Sequence, residues 1–516
     1  MTTSTNSALF DLIKSLSKTE KRYFKVYASR HTIGEENNYS TLFDFISKLD
    51  EYDEASIFKA FKGEALLNKF SITKKRLYDY VLKALDAFHA NSSHEANLYK
   101  MIHSAEILYK KALYKQCWKI LKSAESLALK QEKFHILLEI QLKFKRLIEN
   151  NGYSEIAPDE IDEILKNDLN YIDIIQNYSQ LWNVKSLLFT RLNKKGVARS
   201  EEDKTAYKSI VQPLEKIKTN DDFDSKYLKH HTLSAYYFAI DDTSSSLKEI
   251  HQNIELFQKN PSVIEAEPNV YFSTLTNAIY SHNSNGEYKE AAHYLSLLKM
   301  LPSQLESATN EDLDIKLFSS INSIELNLLN FRGDFAKAVE LEHIIEEGYR
   351  LYGHKINKIR RAYLGFSLSV AFFGIENYSS ALKWINHILN DSELDHKEDI
   401  FCFAQLFNLI IHFELDHKQL LPYAIKNTQR YLKLRNRVYG FETVFLKYIT
   451  KINKSPSQIN QLDLLAVVAN ELNELRNDPF EKNVFNYFDF ATWAQSRVEE
   501  IPYATLVKRH FQERSK

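Results

Sequence analysis

Residues that interrupt helices are scarce in this sequence. Its 516 residues include only 11 glycines and 9 prolines, whereas average proteins contain roughly 7% glycine and roughly 5% proline. Few positions can therefore break a helix. The composition favours an almost wholly helical, all-α protein over one built from β-sheet.

Cysteine is nearly absent as well. The chain has two, Cys117 and Cys402, which are too few for a disulfide framework or a zinc cluster. Cys117 stands at a position where similar segments of the chain carry alanine. We therefore expect both thiols to be reduced and packed inside the protein.

Neither sign of charge is in excess. Lysine plus arginine numbers 67 and aspartate plus glutamate numbers 68, so no global field attracts nucleic acid or an anionic membrane. No stretch reaches the roughly 18 apolar residues of a membrane span. Residues 1–7 lack the basic region and apolar core of a signal peptide. We expect a cytoplasmic protein with no membrane partner, and nucleic acid is a disfavoured partner.

The motifs of common enzymes are missing too. The sequence has no glycine-rich phosphate loop, which argues against kinases, NTPases and dehydrogenases. It also lacks the glycine–serine–glycine elbow of a hydrolase. We expect a non-enzymatic protein that uses no cofactor.

The closest approach to a metal-binding helix is the segment from His412 to His417, which contains Glu414. Zinc-binding helices carry two histidines four residues apart around a glutamate. A spacing of five corresponds to roughly 500 degrees around a helix, so the two imidazoles would not share a face. The segment predicts a surface turn and no metal site.

What the sequence does contain is a repeated pattern. Residues 285–292 form a polar turn followed by an aromatic residue and, three positions later, an alanine. The pattern recurs with small variations at 333–338, 376–381 and 112–117. An aromatic and a small residue at this spacing lie on one face of a helix, where a neighbouring helix can approach closely. The recurrence predicts helical hairpins stacked into a solenoid.

This turn, aromatic and alanine resemble the second-helix signature of tetratricopeptide repeats. The first helix fits before Tyr378, where Leu368, Ser369 and Phe372 occupy the leucine, small and aromatic positions of that family. The aromatic anchors at 288, 335 and 378 are 47 and 43 residues apart, against about 34 in the family, which indicates lengthened helices. The resemblance implies a right-handed α-α superhelix whose concave groove binds a protein or a peptide.

The distribution of the repeat divides the chain into three regions. Residues 1–92 lack the repeat and are predicted to form an N-terminal helical cap. Residues 93–479 are predicted to form the solenoid, although the repeats cannot be phased within 132–224. Residues 480–516 are rich in aromatics and are predicted to form capping helices that close the terminal hydrophobic face. The sequence does not indicate an oligomeric state.

The phase of the repeat assigns eight side chains to the concave groove. The first helix before Phe335 contributes small polar groups that can hydrogen-bond a peptide backbone: Ser320, Ser323, Asn327 and Asn330. The next first helix contributes apolar groups suited to an extended peptide or an amphipathic helix: Tyr363, Phe366, Val370 and Phe373. In the alternative interpretation, the three aromatics of the second set are buried against a neighbouring helix.

A candidate basic patch accompanies the groove. It comprises Arg360 and Arg361 before one repeat and Arg430, Arg435 and Arg437 in the following hairpin. On adjacent helices these guanidinium groups would form a phosphate or carboxylate site, since they suit both anions. The alternative is a solvated helix face that nearby acids balance.

We expect a protein- or peptide-binding scaffold or adaptor. The alternative is a transcriptional or signalling regulator whose N-terminal helices bind DNA and whose solenoid senses a peptide. Its basis is a helix-turn-helix pattern in which four basic residues lead into a helix: Lys69, Lys74, Lys75 and Arg76. Nearby acids weaken this interpretation, and an N-terminal cap explains the same helices.

Overall fold

The protein is helical throughout the residues that the structure describes. The computed structural model describes residues 8–30, 38–49, 51–90, 93–154, 156–218, 220–305, 311–391, 399–455 and 457–514. Within them all regular structure is helical and no strand occurs, which confirms the all-α prediction. No helix in this part of the chain is both long and apolar enough to cross a membrane.

The residues group into two compact units, Met1–Asp173 and Ile174–Lys516, which we call unit 1 and unit 2. The boundaries predicted after residues 92 and 479 stay predictions. The helices of unit 1 are α1 (Ala8–Ser15), α2 (Lys18–Arg30), α3 (Asn38–Lys48), α4 (Glu54–Ala60), α5 (Phe70–His89), α6 (His94–Lys110), α7 (Tyr114–Lys130), α8 (Phe134–Asn150) and the first part of α9 (Pro158–Lys195).

The N-terminal helices of unit 1 share a core in which the rings of Phe24 and Phe43 lie 4.3 Å apart, centroid to centroid. At the start of α2, the N–H of Ser17 donates to the Glu20 carboxylate over 2.7 Å, and the N–H of Glu20 donates to Ser17 Oγ over 3.2 Å. Reciprocal bonds of this kind satisfy N–H groups that have no partner within the helix.

One lysine of the helix-turn-helix pattern is directed into the protein. The ammonium group of Lys74 lies 3.3 Å from Glu54 Oε1 and 4.9 Å from the centre of the Phe70 ring. This contact removes Lys74 from the charges available to a DNA backbone. The DNA-binding function itself stays a prediction.

Unit 2 continues the helical chain to the C-terminus. Its helices are the rest of α9, α10 (Glu201–Val211), α11 (Phe223–Ala239), α12 (Thr243–Lys259), α13 (Pro261–Ala266), α14 (Pro268–Ser284), α15 (Tyr288–Gln304), α16 (Glu311–Arg332), α17 (Phe335–Val339), α18 (Glu342–Tyr352), α19 (Lys358–Gly374), α20 (Tyr378–Leu389), α21 (Asp399–Glu414), α22 (Leu421–Leu434), α23 (Gly440–Lys454), α24 (Gln458–Leu475), α25 (Phe490–Glu499) and α26 (Tyr503–Arg514).

Helices that follow one another in sequence pack as pairs: α11 with α12, α14 with α15, α19 with α20 and α21 with α22. The first helices α14, α16, α19 and α21 also pack on one another in that order. We call α9, α11, α14, α16, α19 and α21 the first helices of unit 2. This packing of neighbours is consistent with the predicted solenoid, in which each hairpin buries its apolar face on the next.

The repeated turn has one backbone geometry. At Gly286, Gly333 and Glu376 the chain takes a left-handed conformation, with φ of 78°, 73° and 63°. The N–H of the following residue then bonds back to a carbonyl of the first helix, as between Asn377 and Phe372 over 2.9 Å. This is how a helix ends when one left-handed residue lets the chain satisfy its last carbonyls. The same conformation occurs at Ala112, Glu132, Asp241 and Asp416.

The small residue of the repeat lies where the sequence analysis placed it. Ala291, Ala338 and Ala381 are fully buried, and Cys117 is 2% exposed at the equivalent position. The hydroxyl of Ser369 donates to the Ala381 carbonyl over 2.7 Å, which requires close approach of the two helices. Both cysteines are free and buried, as predicted.

Candidate binding face

In unit 2, side chains on one face link each first helix to the next. The links, in chain order, are the stacked rings of Phe189 and His231, the side-chain contacts of Tyr227 with Thr274 and of Tyr280 with Ser323, and the hydrogen bond from Ser367 Oγ to Asn327 Oδ1. We call these side chains the first-helix wall, together with Trp182, Lys185, Phe238, Ser320, Asn330 and Arg360, which lie beside them on the same helices. The wall contains the polar half of the predicted groove.

The four polar residues predicted for the groove bond to the protein itself. Ser320 Oγ accepts a hydrogen bond from Arg360 Nη1 over 2.8 Å. Asn327 accepts from the Ser367 hydroxyl, and Asn330 donates to the Ser367 carbonyl, each over 2.8 Å. These bonds, with the contact of Ser323 described above, hold α16 against its neighbours. The two serines are buried and the two asparagines are half-buried.

The apolar half of the predicted groove is filled in this structure. Phe366, Val370 and Phe373 belong to the main core of unit 2, and Tyr363 is half-buried. The prediction that these side chains line an open groove is corrected by their burial, which agrees with the alternative interpretation. The physical reason is that a second element of the same chain covers them.

That element is the aromatic segment between α24 and α26. The ring of Tyr487 stacks on Phe403 with centroids 4.1 Å apart, and its hydroxyl lies 3.2 Å from that of Tyr363. Phe488 packs edge-on against Phe373 at 5.3 Å. The chain thus supplies its own aromatic occupant for an aromatic site. Sequence reasoning found the two features separately, because no local signal indicates that they meet.

The segment is held in place by a polar contact with α21. Trp493 Nε1 donates to Glu414 Oε1 over 2.7 Å, and Arg497 lies 3.5 Å from the other carboxylate oxygen. Glu414 is nearly inaccessible, and this burial raises the pKa of its carboxyl. Removal of either partner would destabilise the fold, because it would leave a buried carboxylate without one of its bonds.

The five arginines of the predicted basic patch do not form one open surface. Arg361 pairs with Asp391 over 2.7 Å and Arg437 pairs with Asp399 over 2.5 Å. Arg435 lies over the ring of Tyr431 at 3.9 Å, and Arg430 is exposed. Acids and rings from different helices engage these side chains separately, so the single patch expected from the sequence is corrected.

Arg360 differs from the other members of this set. Its Nη1 donates to Ser320 Oγ over 2.8 Å, to Ser319 Oγ over 3.1 Å and to the Lys316 carbonyl over 3.3 Å. The guanidinium also lies over the ring of Phe272 at 5.5 Å. Burial lowers the pKa of Arg360. In the part of the chain that the structure describes, no carboxylate is ion-paired with it.

The other end of the first-helix wall exposes aromatic side chains. Trp182 is 52% exposed and Phe238 is 48% exposed. Trp182 lies three residues before Lys185 and seven before Phe189, a spacing that keeps all three on one face of α9. These residues could not be assigned from the sequence, because the repeat could not be phased within 132–224. The turn at Glu132, followed by the aromatic Phe134, is the signal that would have extended the repeat into that region.

Histidines meet at two points in unit 2. His412 Nδ1 lies 2.9 Å from His417 Nδ1, although the helical spacing predicted that the two imidazoles would not share a face. The reason is that α21 ends at Glu414 and the left-handed Asp416 turns His417 back toward the helix.

The second pair is His251 and His282, whose Nε2 atoms lie 3.2 Å apart. The other ring nitrogen of His282 lies 2.5 Å from a carboxylate oxygen of Glu287. Searched over the described residues, the protein has no group of three or more histidine, cysteine, aspartate or glutamate side chains that could hold a metal ion.

Comparison with protein-family models, with curated proteins and with solved structures found no match to this chain.

Proposed function

We propose that this protein is a non-enzymatic cytoplasmic scaffold that binds a protein or a peptide along the first-helix wall. The observation that carries the proposal is the exposure of three aromatic side chains on that wall: Trp182, Phe238 and Tyr280, which are 52%, 48% and 39% exposed. Tryptophan and tyrosine are the residues that most often anchor protein interfaces, because they bury a large area at low entropic cost.

The surroundings of these rings support a binding role. Lys185 lies between Trp182 and Phe189 on α9, 5.9 Å from the centre of the Phe189 ring, and burial lowers the pKa of its ammonium group. Among the described residues no acid is ion-paired with it. Aromatic anchors beside cations that lack a counter-charge form a surface to which a partner can add both apolar contact and charge.

We propose further that the hairpins of unit 2 form a right-handed superhelix of the tetratricopeptide type. In this proposal the first-helix wall is concave, and the N-terminal helices and the pair α25 and α26 act as caps. The recurring turn with its left-handed residue supports this architecture. So does the packing of α14, α16, α19 and α21 on one another in that order.

The experiment is selection from a displayed library of random peptides on the full-length wild-type protein. The selected peptides are then measured against a variant that combines Trp182→Ala with Phe238→Ala. Loss of two anchors predicts affinity that is roughly tenfold weaker or worse. The matched control is Trp118→Ala, which removes a 40% exposed tryptophan from unit 1.

We expect the control to bind like the wild type. The proposal fails if no peptide is selected, or if the double variant binds the selected peptides with unchanged affinity while its circular dichroism shows an intact fold.

A further inference from the structure

We infer that Arg360 and Ser320 form a binding site for one phosphate-type oxyanion on the first-helix wall. The inference rests on the proposed function, since it adds a chemical class of ligand for that face. The ligand is a phosphoryl group, carried by a phosphorylated side chain of a bound peptide or present as the free ion.

Arg360 carries a charge that has no counter-charge among the described residues. A half-buried guanidinium is costly unless an anion or well-placed acceptors compensate for lost water. Arg361 and Arg437, on nearby stretches of the chain, have Asp391 and Asp399. Among the described residues, the acceptors of Arg360 are neutral: two serine hydroxyls and a carbonyl.

The acid nearest in charge to Arg360 is already paired with another cation. Among the described residues, Asp312 is the carboxylate whose charge acts on Arg360. It lies 2.6 Å from Lys316 Nζ, with which it is ion-paired. Lys316 also donates to Asn269 over 3.0 Å. Within the described ranges, the local balance therefore leaves one positive charge on Arg360 for a ligand.

Arg360 retains hydrogen-bond donors for a ligand. All three bonds of Arg360 use Nη1, so the N–H groups at Nε and Nη2 have no acceptor among the residues described here. Ser320 Oγ accepts one of these bonds, which leaves its own hydrogen to donate.

This donor set matches a phosphoryl group better than a carboxylate. A phosphoryl group offers three strong acceptor oxygens and up to two negative charges. An arginine fork can bind two of the oxygens at once, and a hydroxyl can bind the third. A carboxylate has two oxygens, which the fork alone would satisfy.

The test is isothermal titration calorimetry on the full-length protein at constant ionic strength. The probes are inorganic phosphate, O-phosphotyrosine and acetate. The variants are Arg360→Gln, Arg360→Lys and the control Arg350→Gln, which alters a 79% exposed arginine side chain. We expect phosphate binding to weaken at least tenfold in Arg360→Gln and to be partly retained in Arg360→Lys, because lysine keeps the charge but loses the fork.

The sources of the phosphoryl group are separated by the first two probes. Tighter binding of O-phosphotyrosine assigns a phosphorylated side chain, and tighter binding of inorganic phosphate assigns the free ion. The inference is overturned if wild type and Arg360→Gln bind phosphate equally, if neither binds it, or if acetate binds as tightly as phosphate.

The two proposals can fail separately. If binding of unphosphorylated peptides depends on Trp182 and Phe238 and the protein binds no phosphate, only the inference of an oxyanion site is overturned. If phosphate binding depends on Arg360 and no peptide is selected, only the proposed scaffold function is overturned.

Discussion

Arg199 and Glu442 form an ion pair across 243 residues of sequence, with Nη1 of the arginine 3.1 Å from Oε1 of the glutamate. The other terminal nitrogen of the arginine pairs with Glu481, and all three side chains are at most 10% exposed. The guanidinium lies over the ring of Tyr439 at 3.9 Å. This cluster connects the segment between α9 and α10 with α23 and with the segment that follows α24.

Replacement of Arg199 by methionine is expected to destabilise unit 2 by about 3–5 kcal/mol, because it leaves two buried carboxylates unpaired. The measurement is urea unfolding followed by tryptophan fluorescence. The control is Arg350→Met, which removes an exposed pair with Glu347 and should cost less than about 1 kcal/mol. Equal unfolding midpoints for the two variants would contradict the buried-pair argument.

Gly374→Ala tests the packing of the repeat's aromatic anchor. A Cβ added at Gly374 would overlap the ring of Phe335, and overpacking of this kind costs about 1–3 kcal/mol. Gly365→Ala in the same helix is the control, since its Cβ would lie 3.6 Å from Ile388. Alanine is the better helix former by about 1 kcal/mol, so the control should be neutral or slightly stabilised. Thermal unfolding of both variants decides, and a destabilised control would refute the explanation.

Gly333→Ala should loosen α26. Gly333 has φ of 73°, and an added Cβ would lie 2.8 Å from Lys508 and 3.1 Å from the Ala504 carbonyl, both on α26. Gly286→Ala is the matched control, because Gly286 has φ of 78° in the same type of turn with nothing within 4 Å of the added Cβ. Both variants incur left-handed strain of about 1 kcal/mol.

Hydrogen exchange separates strain from packing. Only Gly333→Ala should speed exchange of the amides of α26, while the two variants should show similar protection elsewhere. If both variants leave α26 equally protected, the close approach at Gly333 does not hold that helix.

His231 should make the protein less stable as pH falls. Burial, with the nearby charge of Lys185, lowers the pKa of His231 from 6.5 to about 4. Between pH 6.5 and about pH 4 this histidine binds a proton in the unfolded chain but stays neutral in the folded protein. The unfolding free energy therefore decreases as pH falls through that range. Integration from pH 7 to pH 5 gives about 2 kcal/mol for this one group.

His231→Phe keeps a ring between Phe189 and Tyr227, on which the imidazole stacks, and removes the titration. The unfolding free energy of the wild type should therefore fall by about 2 kcal/mol relative to that of this variant as pH falls from 7 to 5. Parallel pH profiles would show that His231 does not titrate in this way.

The sequence was informative wherever the physics is local. Scarce glycine and proline indicate helices, and a turn, an aromatic and an alanine at helical spacing indicate which face a partner helix approaches. The burial of Ala291, Ala338 and Ala381 confirms that reasoning, since the small side chain is needed at the point of closest approach. The extra turn at Glu132 was missed because the residue three positions after Phe134 is Leu137 and not alanine.

The candidate site was less accessible to sequence reasoning. The positions of Ser320, Ser323 and Asn327 followed from the repeat, but their bonding partners did not, because Arg360 and Ser367 belong to another hairpin. The same limit applied to His251 and His282, which lie on different helices. A ligand-like arrangement depends on distances between helices, and no spacing along one helix encodes them.

By itself the sequence determined the helical class, the repeated hairpin and the side chains that form its seams, because these depend on neighbours within a turn or two of helix. Only the tertiary structure decided that Tyr487 and Phe488 cover the aromatic half of the groove, and that among the described residues Arg360 is ion-paired with no acid while Arg361 and Arg437 each pair with one. Such pairings join residues tens to hundreds of positions apart, and they are selected by the shape and charge of whole surfaces once the helices have stacked.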